Sequence, residues 1–302
     1  MNTYKVESFT FFVSKVLRRL PISEKNKIKF NEKRHKRIEE QLMPIFQSSL
    51  EKVKEDKSSS KNVNDGPIWF FWWQGIQGMP SLVRQCYKSL IKNKGNRQVI
   101  LITQENYFKY TNIAPSIIDL VNHNIITLTH FSDILRFNLL KNNGGLWLDS
   151  TIFVNKPVSE KYFQRLFTCS GYTDKDHFFV TQGRWCGFLF GGAKNSTIFN
   201  FMNEFFEEYW NRNNGLIDYF LIDYALNFAW GNNLSGFKDF TQKNFKKNNP
   251  NLFTLEPLLN KKYDDNIWIQ NMQNTEMYKL TYKIKLSNNK NTYYNKIVKL
   301  ED

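Results

Sequence analysis

The sequence predicts an α/β protein with a parallel sheet and a ligand site beyond the carboxyl ends of its strands, preceded by a basic helical segment. From Ile68 onward, short apolar runs alternate with amphipathic stretches, the pattern of strands and helices in a sheet covered on both faces. Before residue 62 the periodicity is helical and the charge strongly positive. Between them, Asp56-Lys-Ser-Ser-Ser-Lys-Asn62 has the composition of a linker. Two units follow, a helical extension over 1–62 and an α/β domain over 63–302.

Within the extension, Phe9, Phe12, Val13, Val16, Leu17 and Leu20 fall on one helix face, with Lys15, Arg18 and Arg19 off it, and Pro21 ends the helix. Such a helix can lie among the headgroups of an anionic membrane, or it can pack on the core. A second helical pattern runs from about Glu32 to Lys54, interrupted near Pro44. In the α/β part, Ile68 to Trp73 and Val99 to Thr103 read as buried strands. Pro80 opens a helix reaching about Lys92, and Pro115 to Val121 forms another.

Composition limits the function classes. Of the 302 residues 41% are hydrophobic and 16% aromatic, too rich in core-forming side chains for a disordered chain. No run approaches the roughly 18 to 20 apolar residues that cross a bilayer, and the N-terminus lacks a secretory pattern. A cytoplasmic protein is expected, peripheral on the inner face of the membrane if the first helix docks there. Cys86, Cys169 and Cys186 are odd in number and lack metal-ligand spacing, so buried thiols are expected. The net charge of +14 calls for polyanionic partners, and residues 1–61 carry half of it, with 15 Lys and Arg against 8 Asp and Glu. With the excess outside the α/β core and no recognised RNA or DNA motif, nucleic acid is not expected as a partner.

The stretch from His130 to Thr151 carries the chemistry. Ser132 is placed to N-cap a helix with Asp133 in its first turn. Asn142, Asn143, Gly144 and Gly145 stop that helix, and Leu146 to Leu148 forms a buried strand that delivers Asp149 to its exposed end. Asp133 and Arg136, spaced i and i+3, share a helix face, where they present an acceptor beside a forked donor or simply pair with each other.

Ser-Asp-x-x-Arg, a helix, Gly-Gly, an aromatic residue and an Asp-centred triplet together resemble the donor-site signature of GT32-like glycosyltransferases, especially the capsular polysaccharide synthesis branch. The resemblance spans about Ile68 to Lys283. It includes Ile68-Trp-Phe-Phe-Trp-Trp-Gln-Gly75, the Gly187 to Trp210 segment, Asp218-Tyr-Phe-Leu-Ile-Asp223 and the closing Lys279-Leu-Thr-Tyr-Lys283. It implies a GT-A, Rossmann-like fold and hexose transfer from a nucleotide sugar, usually a UDP-sugar, with retention. The acceptor would be a hydroxyl of a surface glycan, free or lipid-linked.

Carried over, Asp133 contacts ribose or sugar hydroxyls, Arg136 the diphosphate or sugar, and Asp149 the metal-associated ribose and sugar, with Ser150 also on the donor. Trp72 and Gln74 face the base. Asp223, in a segment similar to one under the sugar in related enzymes, joins Asp149 as a catalytic carboxylate. Trp185 and Asp218 are expected on the sugar or acceptor side. Mn²⁺ or Mg²⁺ is implied on Asp149 and Thr151, yet the usual second carboxylate is a hydroxyl, a poorer ligand for a hard cation. Lys283 is the candidate to offset diphosphate charge in its place. The same substitution suits a catalytically degenerate sugar-binding or scaffold protein. A second Asp-x-Asp, Asp174-Lys-Asp176, follows no buried strand and is treated as a decoy.

Overall fold

The computed structural model describes residues 3–53, 64–273, 275–287 and 289–300. The expected linker at 56–62 lies outside them.

Two long helices open the chain, α1 (Thr3–Arg19) and α2 (Glu24–Lys52). α2 begins eight residues earlier than its periodicity indicated and continues through Pro44. Its buried stripe, Ile38, Leu42, Ile45 and Phe46, belongs to the largest hydrophobic cluster of the molecule, and that packing outweighs the lost backbone hydrogen bond.

β1 (Ile68–Phe71), α3 (Ser81–Asn93), β2 (Val99–Ile102), α4 (Pro115–Asn122), α5 (Leu128–Asn143) and β3 (Gly145–Leu148) follow. β1 pairs in parallel with both β2 and β3, each reached through helical crossovers. After β3 come β4 (Ile152–Val154), β5 (Leu166–Thr168) and β6 (Leu189–Gly192) with no α-helix among them. Without a crossover the chain pairs antiparallel, β6 with both β3 and β5, so the sheet β2-β1-β3-β6-β5 is mixed rather than wholly parallel.

α6 (Thr197–Arg212), α7 (Leu221–Gly231), α8 (Phe237–Lys243) and α9 (Asp265–Gln273) precede β7 (Met277–Lys279), and α10 (Tyr293–Val298) closes the fold. β7 pairs antiparallel with β4, setting Ile152 opposite Lys279. This ribbon lays Lys279 against the turn after β3.

The α5–β3 junction is tight. Gly144 and Gly145 adopt φ of 68° and 101°, and a Cβ on Gly145 would stand 2.2 Å from the Pro67 carbonyl oxygen. Trp69 donates its indole N–H to the Gly144 carbonyl at 2.8 Å. The helix bearing Asp133 and Arg136 is thereby fixed to the strand that ends at Asp149.

α1 is turned against the usual pattern. Its polar side faces the protein: buried Glu7 pairs with Arg37 at 3.0 Å, and Arg18 reaches Asp176 at 3.2 Å. Phe9 and Phe12, 65% and 62% exposed, look outward with Val16 and Leu20. The sequence stripe therefore marks the outer face, although Val13 and Leu17 are half-buried. Phe11, outside that stripe, turns inward and stacks on Tyr219.

Candidate functional site

The carboxyl ends of β1 and β3 open onto a cleft formed by two adjoining cavities. The smaller, about 550 Å³, is lined by Trp72, Trp73, Gln74, Ser150, Thr151, Lys279 and Lys283, among others. The larger, about 710 Å³, is lined by Asp133, Arg136, Trp185, Gly187 and Asp223, among others. Asp149 and Tyr219 belong to both walls, so Asp149 sits at the junction.

Around Asp149 the charges alternate. Arg136 Nη2 lies 3.2 Å from Asp133 Oδ1 and 3.1 Å from Asp149 Oδ1, with its guanidinium over the Trp147 ring. Trp147 donates its indole N–H to the same Asp149 oxygen at 2.8 Å. On the other side, Lys279 Nζ donates to Asp149 Oδ2 at 3.0 Å and to Thr151 Oγ1 at 2.7 Å. Burial alone would raise the Asp149 pKa, but Lys279 and Arg136 outweigh it and hold the carboxyl below its ordinary value. Arg136 Nε is buried without a hydrogen-bond partner among the described residues, and Nη1 abuts Gly187.

α5 starts at Leu128, capped by the Thr127 hydroxyl, which accepts from the His130 amide. Ser132 is therefore no N-cap. Its hydroxyl donates to the Thr129 carbonyl, and Asp133 lies in the second turn, where the helix dipole contributes little.

In the larger cavity, Asp223 in the first turn of α7 accepts the Trp185 indole N–H at 3.0 Å. Burial pushes its carboxyl up to about 7, helped by the Asp133 charge and opposed by Trp185, Arg136 and Arg184. Trp185 is only 2% exposed, with Arg184 over its ring, so it orients Asp223 and presents no open face for stacking. Trp72, set edge-on to Tyr282, lines the smaller cavity with Gln74.

Asp218 is not part of this site. It is 3% exposed, ion-paired with Arg34 of α2, and accepts the Phe220 amide at 2.9 Å. Its partner lies 184 residues away, which local reading cannot reveal. Lys279, in the same closing segment as Lys283, is likewise a long-range partner: only the β4–β7 register brings it to Asp149. His130 also lines the larger cavity, with Nδ1 3.8 Å from Asp133. Asp174 and Asp176 both lie beside Arg18, and burial pushes Asp174 up to about 6.

The residues at Asp149 do not fit a divalent metal. A Mg²⁺-type ion at a phosphate site needs one or two free carboxylates, its other ligands coming from substrate phosphates and water. Here both Asp149 oxygens already accept from cationic or indole donors, and the Thr151 hydroxyl accepts from Lys279. Among the described residues no group of three or more His, Cys, Asp or Glu side chains is arranged to hold a metal.

The mixed α/β fold thus sets a cleft lined by both cations and carboxylates at its strand ends, where open α/β sheets carry their sites. The family model for capsular polysaccharide synthesis proteins matches residues 18–297, and the chain belongs to that family. Membership points to a role in polysaccharide synthesis. Neither a curated protein nor a solved structure matches the chain.

Proposed function

We propose that this protein is a glycosyltransferase of GT-A type that moves a hexose from a nucleotide sugar, a UDP-sugar on the resemblance, to a hydroxyl of a polysaccharide repeat unit, with retention. One observation carries the reading: Asp133, Arg136 and Asp149 converge where a tryptophan-walled cavity meets a second cavity holding Asp223. The base and diphosphate fill the smaller space, near Trp72, Gln74, Lys279 and Lys283. The sugar projects past Asp149 toward Asp223.

As the anomeric carbon–oxygen bond to the diphosphate breaks, its electron pair passes to the leaving phosphate, whose charge the cations offset. The acceptor hydroxyl oxygen forms the new bond to that carbon on the face the phosphate leaves, its proton passing to the departing phosphate oxygen, while Asp223, pushed up to about 7, faces the positive charge developing on the sugar. The test is transfer or donor hydrolysis across a panel of nucleotide sugars. Turnover abolished by Asp149→Ala supports the transferase, whereas donor binding without turnover under any condition favours a sugar-binding scaffold.

The acceptor is proposed to be lipid-linked, with α1 resting on an anionic bilayer at the inner face of the membrane. Phe9, Phe12, Val16 and Leu20 form an outward apolar row, and exposed Lys15 and Arg19 suit anionic headgroups. Through the Phe11–Tyr219 stack this helix adjoins the cleft mouth. No helix among the described residues is long and apolar enough to cross a membrane. Flotation with phosphatidylglycerol vesicles should drop by about tenfold in Phe9→Ser/Phe12→Ser; unchanged flotation refutes the docking.

A further inference from the structure

Resting on the nucleotide-sugar reading, the geometry points to Lys279 as a resident cation that binds the donor diphosphate in place of a divalent metal. Its ammonium sits between the two positions of the Asp149-Ser150-Thr151 triplet, 3.0 Å from the Asp149 carboxylate and 2.7 Å from the Thr151 hydroxyl. A metal spanning that triplet would have to displace it.

The placement is built by the fold. Ile152, the residue after the triplet, pairs with Lys279 across the β4–β7 ribbon. The Lys279 amide donates to the Leu252 carbonyl at 2.8 Å, and the Leu280 amide to the Thr151 carbonyl at 2.9 Å. The ammonium also lies 4.7 Å from the centre of the Phe188 ring, which favours a cation at that point. The side chain stays partly open and lines the smaller cavity.

An ammonium has three N–H donors. Asp149 and Thr151 take two, leaving the third for a phosphate oxygen at the cavity wall. This arrangement also explains the departure at position 151. Beside a monovalent cation, a second carboxylate would add negative charge facing the diphosphate, whereas a hydroxyl accepts the lysine N–H and adds none. Lys283, on the same wall, supplies a second positive charge.

The test is calorimetric binding of UDP, GDP and dTDP to the full chain, in EDTA and in Mn²⁺. The expected result is that whichever nucleotide binds does so within about twofold in the two conditions, and that Lys279→Met weakens it at least about tenfold in EDTA, the loss of a charge-assisted hydrogen bond. Combining Thr151→Asp with Lys279→Met should return binding only when Mn²⁺ is present. Wild-type binding that needs Mn²⁺ overturns the inference while leaving the transferase reading standing, and that measurement requires no variant to fold. Failure of all three nucleotides to bind in either condition overturns both.

Discussion

Replacing Asp223 by Asn separates the cost of that carboxyl from its use. The side chain is pushed from an ordinary value of 3.8 up to about 7 by burial and by the Asp133 charge. Its folded form therefore holds a proton that the unfolded chain releases between pH 4 and 7, so stability falls as pH rises through that window. The stabilisation is fully present below pH 4 and is lost above 7. The total is about 4 kcal/mol, of which about 3 kcal/mol falls between pH 5 and 8. Asp223→Asn removes the titration, and its amide oxygen can still accept the Trp185 N–H now bonded at 3.0 Å. Urea denaturation of both proteins at pH 5 and pH 8 gives the double difference, in which groups common to both, such as Asp174, cancel. The variant should gain about 3 kcal/mol relative to the parent on going to pH 8, while losing turnover. A double difference below about 0.5 kcal/mol would show that Asp223 has an ordinary pKa and refute its placement in a desolvated pocket.

Two further substitutions probe the surroundings. Arg34→Met strands Asp218 without its ion partner at a fully buried position and should cost about 3–5 kcal/mol in chemical denaturation. Nucleotide affinity per folded molecule should stay unchanged, and a parallel loss of affinity would return Asp218 to the site. Gly187→Ala places a methyl 3.3 Å from Arg136 Nη1. It should weaken nucleotide binding about threefold or more with little change in melting temperature; unaltered affinity in calorimetry would show that Arg136 does not meet the ligand.

The parts of the site that could be read from the sequence are those whose geometry is local. Asp133 and Arg136 are one helical turn apart, and the Asn-Asn-Gly-Gly stop followed by an apolar run delivers Asp149 by chain direction alone. Long-range pairing was not legible. Lys279 meets Asp149 across 130 residues, and Trp185 finds Asp223 across 38. Asp218 looked like a site residue because it stands at the start of a recognised segment, and only α2 shows that it is neutralised structurally. The apolar stripe of α1 was visible in the sequence, but whether it faced in or out depended on where Glu7 and Arg18 found partners.

α2 has a practical consequence for anyone seeking the smallest autonomous unit. Phe46 lies against Phe205 of α6 and Phe228 of α7, while Ser48 donates a hydrogen bond to buried Glu208 and Lys52 pairs with it. A protein started at residue 63 would bare that aromatic face to water and leave two interior carboxylates, Glu208 and Asp218, without their α2 partners. Trimming the N-terminus for crystallisation or fusion should therefore stop ahead of Glu24, where the second helix begins.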